Sequence, residues 1–126
     1  MLFEVEITPH RAIYNLLIGL VAPRPIALVT SLNEEGQLNA APFSAYNYLC
    51  TDPPVVGIGV TDRPNERFVP KDTARNIRRT GQFVVNVVTE DLLELMNICA
   101  TDFPAEISEV DQPCSRLSSV RYTPWP

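Results

Sequence analysis

With 126 residues, 45% of them hydrophobic, and a formal net charge of −5, the chain has the size and composition of one globular domain. The negative charge argues against nucleic acid or an anionic membrane surface as the main partner. No apolar stretch approaches the length that crosses a bilayer, and the N-terminal residues lack the basic start of a signal peptide, so neither a membrane protein nor an exported one is predicted.

The first third of the chain predicts one helix followed by a β-hairpin. Thr8 is typical of a helix N-cap and Pro9 of a first helical residue, and apolar residues then recur at helical spacing. Gly36 suits a tight turn because it can take a positive φ, and Pro42 should stop a strand. The predicted elements are a helix from Pro9 to about Gly19, a strand over 26–32, a turn over 33–36 and a returning strand over 37–41.

The remainder of the patterned sequence predicts further strands with helical insertions. Residues 43–50 are aromatic-rich and predict either a strand or an ordered loop. They precede a buried strand over 55–61, a polar loop over 62–70, a helix from Asp72 or Thr73 to about Thr80 closed by Gly81, a strand over 83–89 and a helix over 90–101. Roughly four or five strands joined mainly by hairpins predict a mainly β fold with α insertions, an antiparallel barrel with helical decorations.

Two short runs carry the functional information. Residues 39–44, Asn-Ala-Ala-Pro-Phe-Ser, form a small-residue, proline-fixed segment that permits close approach by a flat ligand. Residues 71–77, Lys-Asp-Thr-Ala-Arg-Asn-Ile, place an ammonium and a hydroxyl beside the N–H groups of a helix start, which is how proteins hold phosphate. A flat polar ring joined to a phosphate suggests flavin mononucleotide (FMN).

The charge distribution leaves two readings open for the second run. Residues 63–79 carry a net charge of +4, which leaves −9 on the rest of the chain. Most such clusters are simply the solvent-exposed face of a helix. The more specific interpretation is a local anion-binding site. Lys71, the one lysine in the sequence, could equally point into water, and the Asp72 carboxylate would compete with an anion at the helix N-terminus.

The remaining chemistry-bearing residues predict no catalytic side chain and no metal ligand. The three cysteines lack C-x-x-C spacing, which indicates reduced thiols in a cytoplasmic protein. The single histidine, His10, supports neither a histidine metal cluster nor a Ser/His/Asp triad. Gly57 and Gly59 form no dinucleotide fingerprint because the third glycine and the following helix are missing. They indicate close packing within a strand instead.

Five runs in order resemble the flavin reductase-like, FMN-binding split-barrel family. They span residues 23–31, 39–44, 52–54, 71–77 and 81–86, with Glu109 beyond them, so that the resemblance covers about Tyr14 to Asp111. It implies a homodimeric split β-barrel that binds FMN near the subunit interface. Residues 1–111 would form this domain and residues 112–126 an irregular tail unlike the family, leaving the barrel incomplete at its C-terminus.

The resemblance also assigns binding roles to eight residues. Those that would line the isoalloxazine ring and the ribityl chain are Thr30, Ser31, Asn39, Ala41 and Ser44. Those that would hold the phosphate are Lys71, Thr73 and Asn76. The residues alone leave other roles open: a hydroxyl that caps a turn, an asparagine that closes the hairpin, or small side chains in tight packing.

As a function, the resemblance implies an NAD(P)H-dependent flavin reductase. Such an enzyme moves reducing equivalents from NADH or NADPH through FMN to an acceptor, with a partner oxygenase among the acceptors. Two alternatives stay open: a non-enzymatic FMN-binding electron-relay module, and an inactive truncated domain with exposed strand edges.

Overall fold

The computed structural model describes residues 3–62 and 69–101. In chain order the elements are α1 (His10–Leu20), β1 (Ala27–Leu32), β2 (Leu38–Phe43), β3 (Tyr46–Thr51), β4 (Pro54–Ile58), α2 (Asp72–Thr80), β5 (Val84–Val87), a 3₁₀ turn (Glu90–Leu92) and α3 (Leu93–Cys99). All strand pairs in these ranges are antiparallel, which confirms a mainly antiparallel β fold with helical insertions. Glu109 and the predicted tail over 112–126 lie outside the described residues.

Strand β1 is the centre of the structure. It lies between β2 and β5 in a three-stranded sheet, ordered β2-β1-β5, while β3 and β4 form a separate two-stranded sheet. Residues 27–31 of β1 are each at most 1% exposed. This burial follows because β1 is hydrogen-bonded along both edges and covered on both faces.

The two faces of this sheet are covered by different helices. Side chains alternate along a strand, so Leu28 and Val29 point to opposite faces. Leu28 packs with Leu95 and Cys99 of α3, whereas Val29 belongs to a cluster that Ile77 of α2 covers. The same alternation places Thr30 on the α3 face and Ser31 on the α2 face.

The predicted hairpin between β1 and β2 is confirmed, with a longer second strand. The Asn33 side-chain oxygen accepts hydrogen bonds from the backbone N–H groups of Glu35 and Gln37, at 3.0 and 2.8 Å. Gly36 takes the positive φ of +78°. Pro42 does not end β2, which continues to Phe43. A proline is tolerated there because β2 is an edge strand of the described sheet and needs hydrogen bonds on one side only.

The β3–β4 ribbon shows that residues after Phe43 form a strand, and it corrects the predicted length and burial of the strand that follows. Residues 46–51 form a strand rather than a loop. The strand predicted over 55–61 is shorter and is not buried: Val55 and Val56 are 40% and 46% exposed. An apolar run is buried only where another layer covers it, and no third strand of the described chain pairs with this ribbon. A Cβ atom at Gly57 would lie 3.0 Å from Leu49 Cδ1, so the close packing predicted there is confirmed.

The helix boundaries agree with the pattern for α2 and differ for α1 and α3. Gly19 does not end α1, which continues to Leu20, and the first three residues of the helix predicted over 90–101 form the 3₁₀ turn, so that α3 is only Leu93–Cys99. Pro9 rather than Thr8 is the N-cap of α1, because the Pro9 carbonyl accepts from the Ile13 N–H at 3.1 Å. The Thr8 hydroxyl donates back to the Glu4 carbonyl at 2.6 Å. Helix α2 begins after Lys71 and ends at Gly81 in the left-handed conformation, with φ of +69°. None of the helices in the described ranges is long and apolar enough to cross a membrane.

Candidate functional site

The N-terminus of α2 offers backbone donors and one ammonium group. Lys71 is the N-cap residue in an extended conformation, and its side chain makes no capping hydrogen bond. The first N–H groups of an α-helix have no intrahelical acceptor and carry the positive end of the helix dipole. The Lys71 side chain is partly exposed. This end of α2 therefore suits an anion.

An ion pair changes the charge of the first turn. The Arg75 Nη2 atom lies 2.6 Å from Asp72 Oδ1, and the two side chains are 53% and 25% exposed. Such an exposed pair contributes about 1 kcal/mol or less to stability. Its effect on the site is electrostatic: the arginine offsets the carboxylate that would otherwise repel an anion. The competition expected from Asp72 is thereby reduced.

Four of the predicted residues meet in what we call the brace, formed by Ser31, Asn39, Thr73 and Asn76. Ser31 and Asn39 are opposite each other across the β1–β2 pair. Thr73 and Asn76 are three residues apart on α2 and so share one face of the helix. Asn76 Nδ2 donates to Ser31 Oγ at 3.3 Å, and Asn39 Nδ2 donates to Thr73 Oγ1 at a longer 3.5 Å. The two motifs found in the sequence are therefore joined directly.

The brace is mostly closed to solvent. Ser31 is fully buried, and Thr73 and Asn76 are each 2% exposed. No buried side-chain nitrogen or oxygen in the described part of the chain lacks a hydrogen-bond partner. Each of these four side chains has one partner within the brace. Their arrangement positions α2 on the hairpin rather than presenting open ligand groups.

Thr30 is separated from the brace. It lies on the α3 face of β1, 1% exposed, where its hydroxyl accepts a 3.3 Å hydrogen bond from Asn86 Nδ2. Asn86, on β5, also donates to the Leu28 carbonyl at 2.9 Å. The Thr30 side chain thus ties β1 to β5 and points away from the face that carries Ser31.

The last two ring-lining candidates lie on β2 and just beyond it. Ala41 is opposite Val29 in the strand pairing and packs against the cluster of Ala27, Val29 and Phe43, as tight packing would require. Ser44 directly follows β2 and is partly exposed. Within residues 3–62 and 69–101, the side chains of Ser44 and Lys71 form no hydrogen bond. Both are available to a ligand.

Sequence reasoning gave no role to Arg79 or Asn86. Arg79, in the last turn of α2, donates to the carbonyls of Leu32 and Asn33 at 3.1 and 2.5 Å, and so ties the helix to the hairpin turn. An open cleft of about 550 Å³ lies between that turn and α2, lined by Asn33, Glu34, Glu35, Gln37, Arg75, Asn76 and Arg79. Asn76 is the one predicted site residue in this lining. An asparagine inside a run of valines was the available signal for Asn86.

A family model described as a flavin reductase like domain matches residues 20–119 of the chain. An uncharacterised protein of Halalkalibacterium halodurans is 51% identical over 98 residues, which make up 78% of this chain and 46% of that protein. An uncharacterised protein of Aquifex aeolicus is 41% identical over 112 residues, 89% of this chain and 56% of that protein. The chain spans about half the length of the curated relatives it matches.

Solved structures give the same picture of the fold. The 2-nitrobenzoate 2-nitroreductase of Pseudomonas fluorescens is 45% identical with a TM-score of 0.72, covering 88% of this chain and 51% of that one. Component B of the nitrilotriacetate monooxygenase of Bacillus cereus is 35% identical with a TM-score of 0.77, covering 88% and 54%.

A third structure carries information on the fold alone. It is a Shewanella frigidimarina protein described as a flavin reductase with a split barrel domain, 23% identical with a TM-score of 0.66, covering 88% of this chain and 54% of that one. The split-barrel prediction is confirmed, and the described residues form two sheets of it rather than a closed barrel.

Proposed function

We propose that this chain, which belongs to the flavin reductase-like family, is an FMN-binding oxidoreductase domain that moves reducing equivalents from NADH or NADPH through FMN to an acceptor. One observation carries the proposal: the N-terminus of α2, with Lys71 beside it, is hydrogen-bonded through the brace to the β1–β2 hairpin. These hydrogen bonds would hold the proposed phosphate site beside the proposed surface for the flat ring.

The residues present fit the phosphate of FMN. Lys71 supplies a partly exposed ammonium, the first turn of α2 supplies backbone donors, and Arg75 offsets the charge of Asp72. Charge-assisted contacts of this kind contribute about 1.5–3 kcal/mol each. A nine-residue helix whose side chains are tied to a buried sheet also holds these donors in place before a ligand arrives.

The predicted flavin-binding residues fall into a partly exposed group and a buried group. Asn39 and Ser44 are partly exposed at the two ends of residues 39–44, and we propose that they contact the flavin. Ser31, Thr73 and Asn76 are buried in the brace, and Thr30 faces α3. Their direct contact with flavin stays a prediction. Bound FMN supplies the redox chemistry, and the residues around it orient the ring and limit access of solvent.

The acceptor and the assembly are proposals drawn from the relatives. One structural relative reduces 2-nitrobenzoate and another is the B component of a monooxygenase, as their names state. We therefore propose either a small oxidised substrate or a partner oxygenase as the consumer of the reduced flavin. The homodimer, the flavin site near its interface and the cytoplasmic location also stay predictions.

The proposal is tested first by a flavin absorption spectrum. The purified protein is mixed with FMN and desalted, and its spectrum is read in the visible bands of oxidised flavin. Retained bands, followed by steady consumption of NADH or NADPH with an artificial acceptor, are the expected result. Retained flavin without nicotinamide oxidation would favour the electron-relay module. Failure to bind FMN even in an equilibrium titration would overturn the proposal.

A further inference from the structure

We infer that Asn76 is a positioning residue for the flavin phosphate: its hydrogen bond to Ser31 fixes the α2 N-terminus relative to the hairpin that faces the ring. The inference rests on the proposed function. It differs from the family-based expectation that Asn76 itself holds the phosphate, and it assigns the side chain a role through α2 instead.

Burial argues against direct contact between Asn76 and a ligand. The side chain is 2% exposed, and its Nδ2 atom already donates to Ser31 Oγ at 3.3 Å. The Ser31 side chain is itself fully buried on the α2 face of the central strand. Asn76 borders the cleft between the hairpin turn and α2, but with 2% of its surface exposed it offers a phosphate there little direct contact.

The position of Asn76 on α2 allows its hydrogen bond to orient the N-terminus of the helix. It lies one turn after Thr73, whose hydroxyl accepts from Asn39 at 3.5 Å. Two contacts, one to each strand of the hairpin, fix the distance of α2 from the hairpin and the rotation of α2 about its own axis. Both contacts are longer than a usual N–H···O hydrogen bond, and the Asn76–Ser31 contact is the shorter of the two, at 3.3 Å against 3.5 Å. Loss of it should shift the N–H groups of the first turn.

Riboflavin and FMN separate this role from a general loss of stability. The two ligands share the ring and the ribityl chain and differ in the phosphate. The ratio of their dissociation constants therefore measures the phosphate contribution alone. A variant that merely lowers the folded fraction weakens both ligands equally and leaves the ratio unchanged.

The experiment measures this ratio by fluorescence titration for the full chain and for Asn76→Ala, Ser31→Ala and the double variant. We expect each single variant to reduce the preference for FMN by about tenfold, and the double variant to reduce it no further, because both substitutions remove the same hydrogen bond. Thr80→Val is the matched control. The Thr80 hydroxyl donates to the carbonyls of Asn76 and Gln82, at 2.9 and 3.1 Å, and neither acceptor belongs to a strand, so the ratio should stay unchanged.

Each other outcome has a defined meaning. Additive losses, or a loss in Asn76→Ala without one in Ser31→Ala, would show that Asn76 contacts phosphate directly and would overturn the inference. An unchanged ratio in all variants would overturn it as well. If Asn76→Ala does not fold, Asn39→Ala, which is only partly buried, tests the second contact of the brace. Absence of FMN binding in the unaltered protein would instead reject the proposed function.

Discussion

The central sheet and the β3–β4 ribbon are built from similar apolar runs and end in opposite environments. In β1, residues 27–31 are at most 1% exposed, whereas Tyr48 and Leu49 of β3 are 70% and 68% exposed. The sheet has a partner strand on each side of β1 and a helix on each face. The ribbon has two strands, and a two-stranded sheet is marginal by itself. Apolar sequence therefore specifies the strand, and the neighbouring layers decide its burial.

The comparison also explains where the candidate site lies. The brace and the α2 N-terminus are anchored on the central sheet, whose middle strand is buried over residues 27–31. A binding site keeps its geometry when the elements that carry it are fixed by packing and hydrogen bonds. The predictions below test whether stability and ligand affinity both reside on this side of the molecule.

The largest effect is expected from two matched leucine truncations. Leu28→Ala removes a fully buried side chain from β1 and should lower the free energy of unfolding by about 2–5 kcal/mol. Leu49→Ala removes an exposed side chain from the ribbon and should cost less than about 1 kcal/mol. Urea unfolding of both variants measures the difference. Equal losses would mean that the ribbon is covered in solution.

Next in size is the effect of Lys71→Ala on ligand affinity. Removing the ammonium should weaken FMN binding by about 1.5–3 kcal/mol, roughly tenfold to a hundredfold, and leave riboflavin binding unchanged. Arg78→Ala is the control because Arg78 is an exposed cation near the other end of the same helix. Equal losses of affinity in the two variants would indicate general electrostatic attraction instead of a local phosphate site.

Asn86→Ala tests the hydrogen bonds on the α3 face of the sheet. It leaves the Leu28 carbonyl and the Thr30 hydroxyl without their Asn86 donor, and we expect a loss of about 1–3 kcal/mol in unfolding free energy. Asn47→Ala, at an exposed position of the ribbon, should change stability by no more than about 0.5 kcal/mol. A small loss in Asn86→Ala would show that water replaces the lost donor. Thermal unfolding of the two proteins makes the comparison.

The smallest effect is expected from two glycines, one inside a helix and one at the end of a helix. Gly81→Ala should destabilise the protein by about 1 kcal/mol because φ of +69° is strained for alanine. Gly19→Ala lies inside α1 and should stabilise it by about 0.5–1 kcal/mol, since nothing lies within 4 Å of the added Cβ. Melting temperatures that move in opposite directions would support this. A shift in the same direction would contradict the helix boundaries.

Most of the elements were predictable for a local reason. Strand β1, the Gly36 turn and the α2 boundaries each follow from residues that are neighbours in sequence. The Thr8 cap was wrong by one residue, because the first helical hydrogen bond of α1 runs from the Ile13 N–H to the Pro9 carbonyl. Among the site residues, the partial exposure of Lys71 at the helix start agrees with the sequence reading, and its binding role stays a prediction.

Contacts between residues distant in sequence decided what the local patterns could not. The exposure of Val55 and Val56 depends on strands that are not their neighbours in the chain. Thr30 and Ser31 are adjacent, yet one donor partner comes from β5 and the other from α2. A pattern search treats them as a pair, while strand alternation sends them to opposite faces. Which face meets which helix is settled only by packing.

Sequence by itself determined the family, the order of helices and strands, and the two motifs of the candidate site, because periodicity, turn residues and helix caps are local properties. Tertiary structure decided that Asn39 Nδ2 lies 3.5 Å from Thr73 Oγ1, although the two residues are 34 apart in sequence. It also decided that Thr30 points to the other face of the sheet. Contacts between distant residues form only when the sheet and α2 pack together. The physical reason is that burial and hydrogen bonding across elements depend on the whole arrangement, whereas element formation depends mainly on near neighbours.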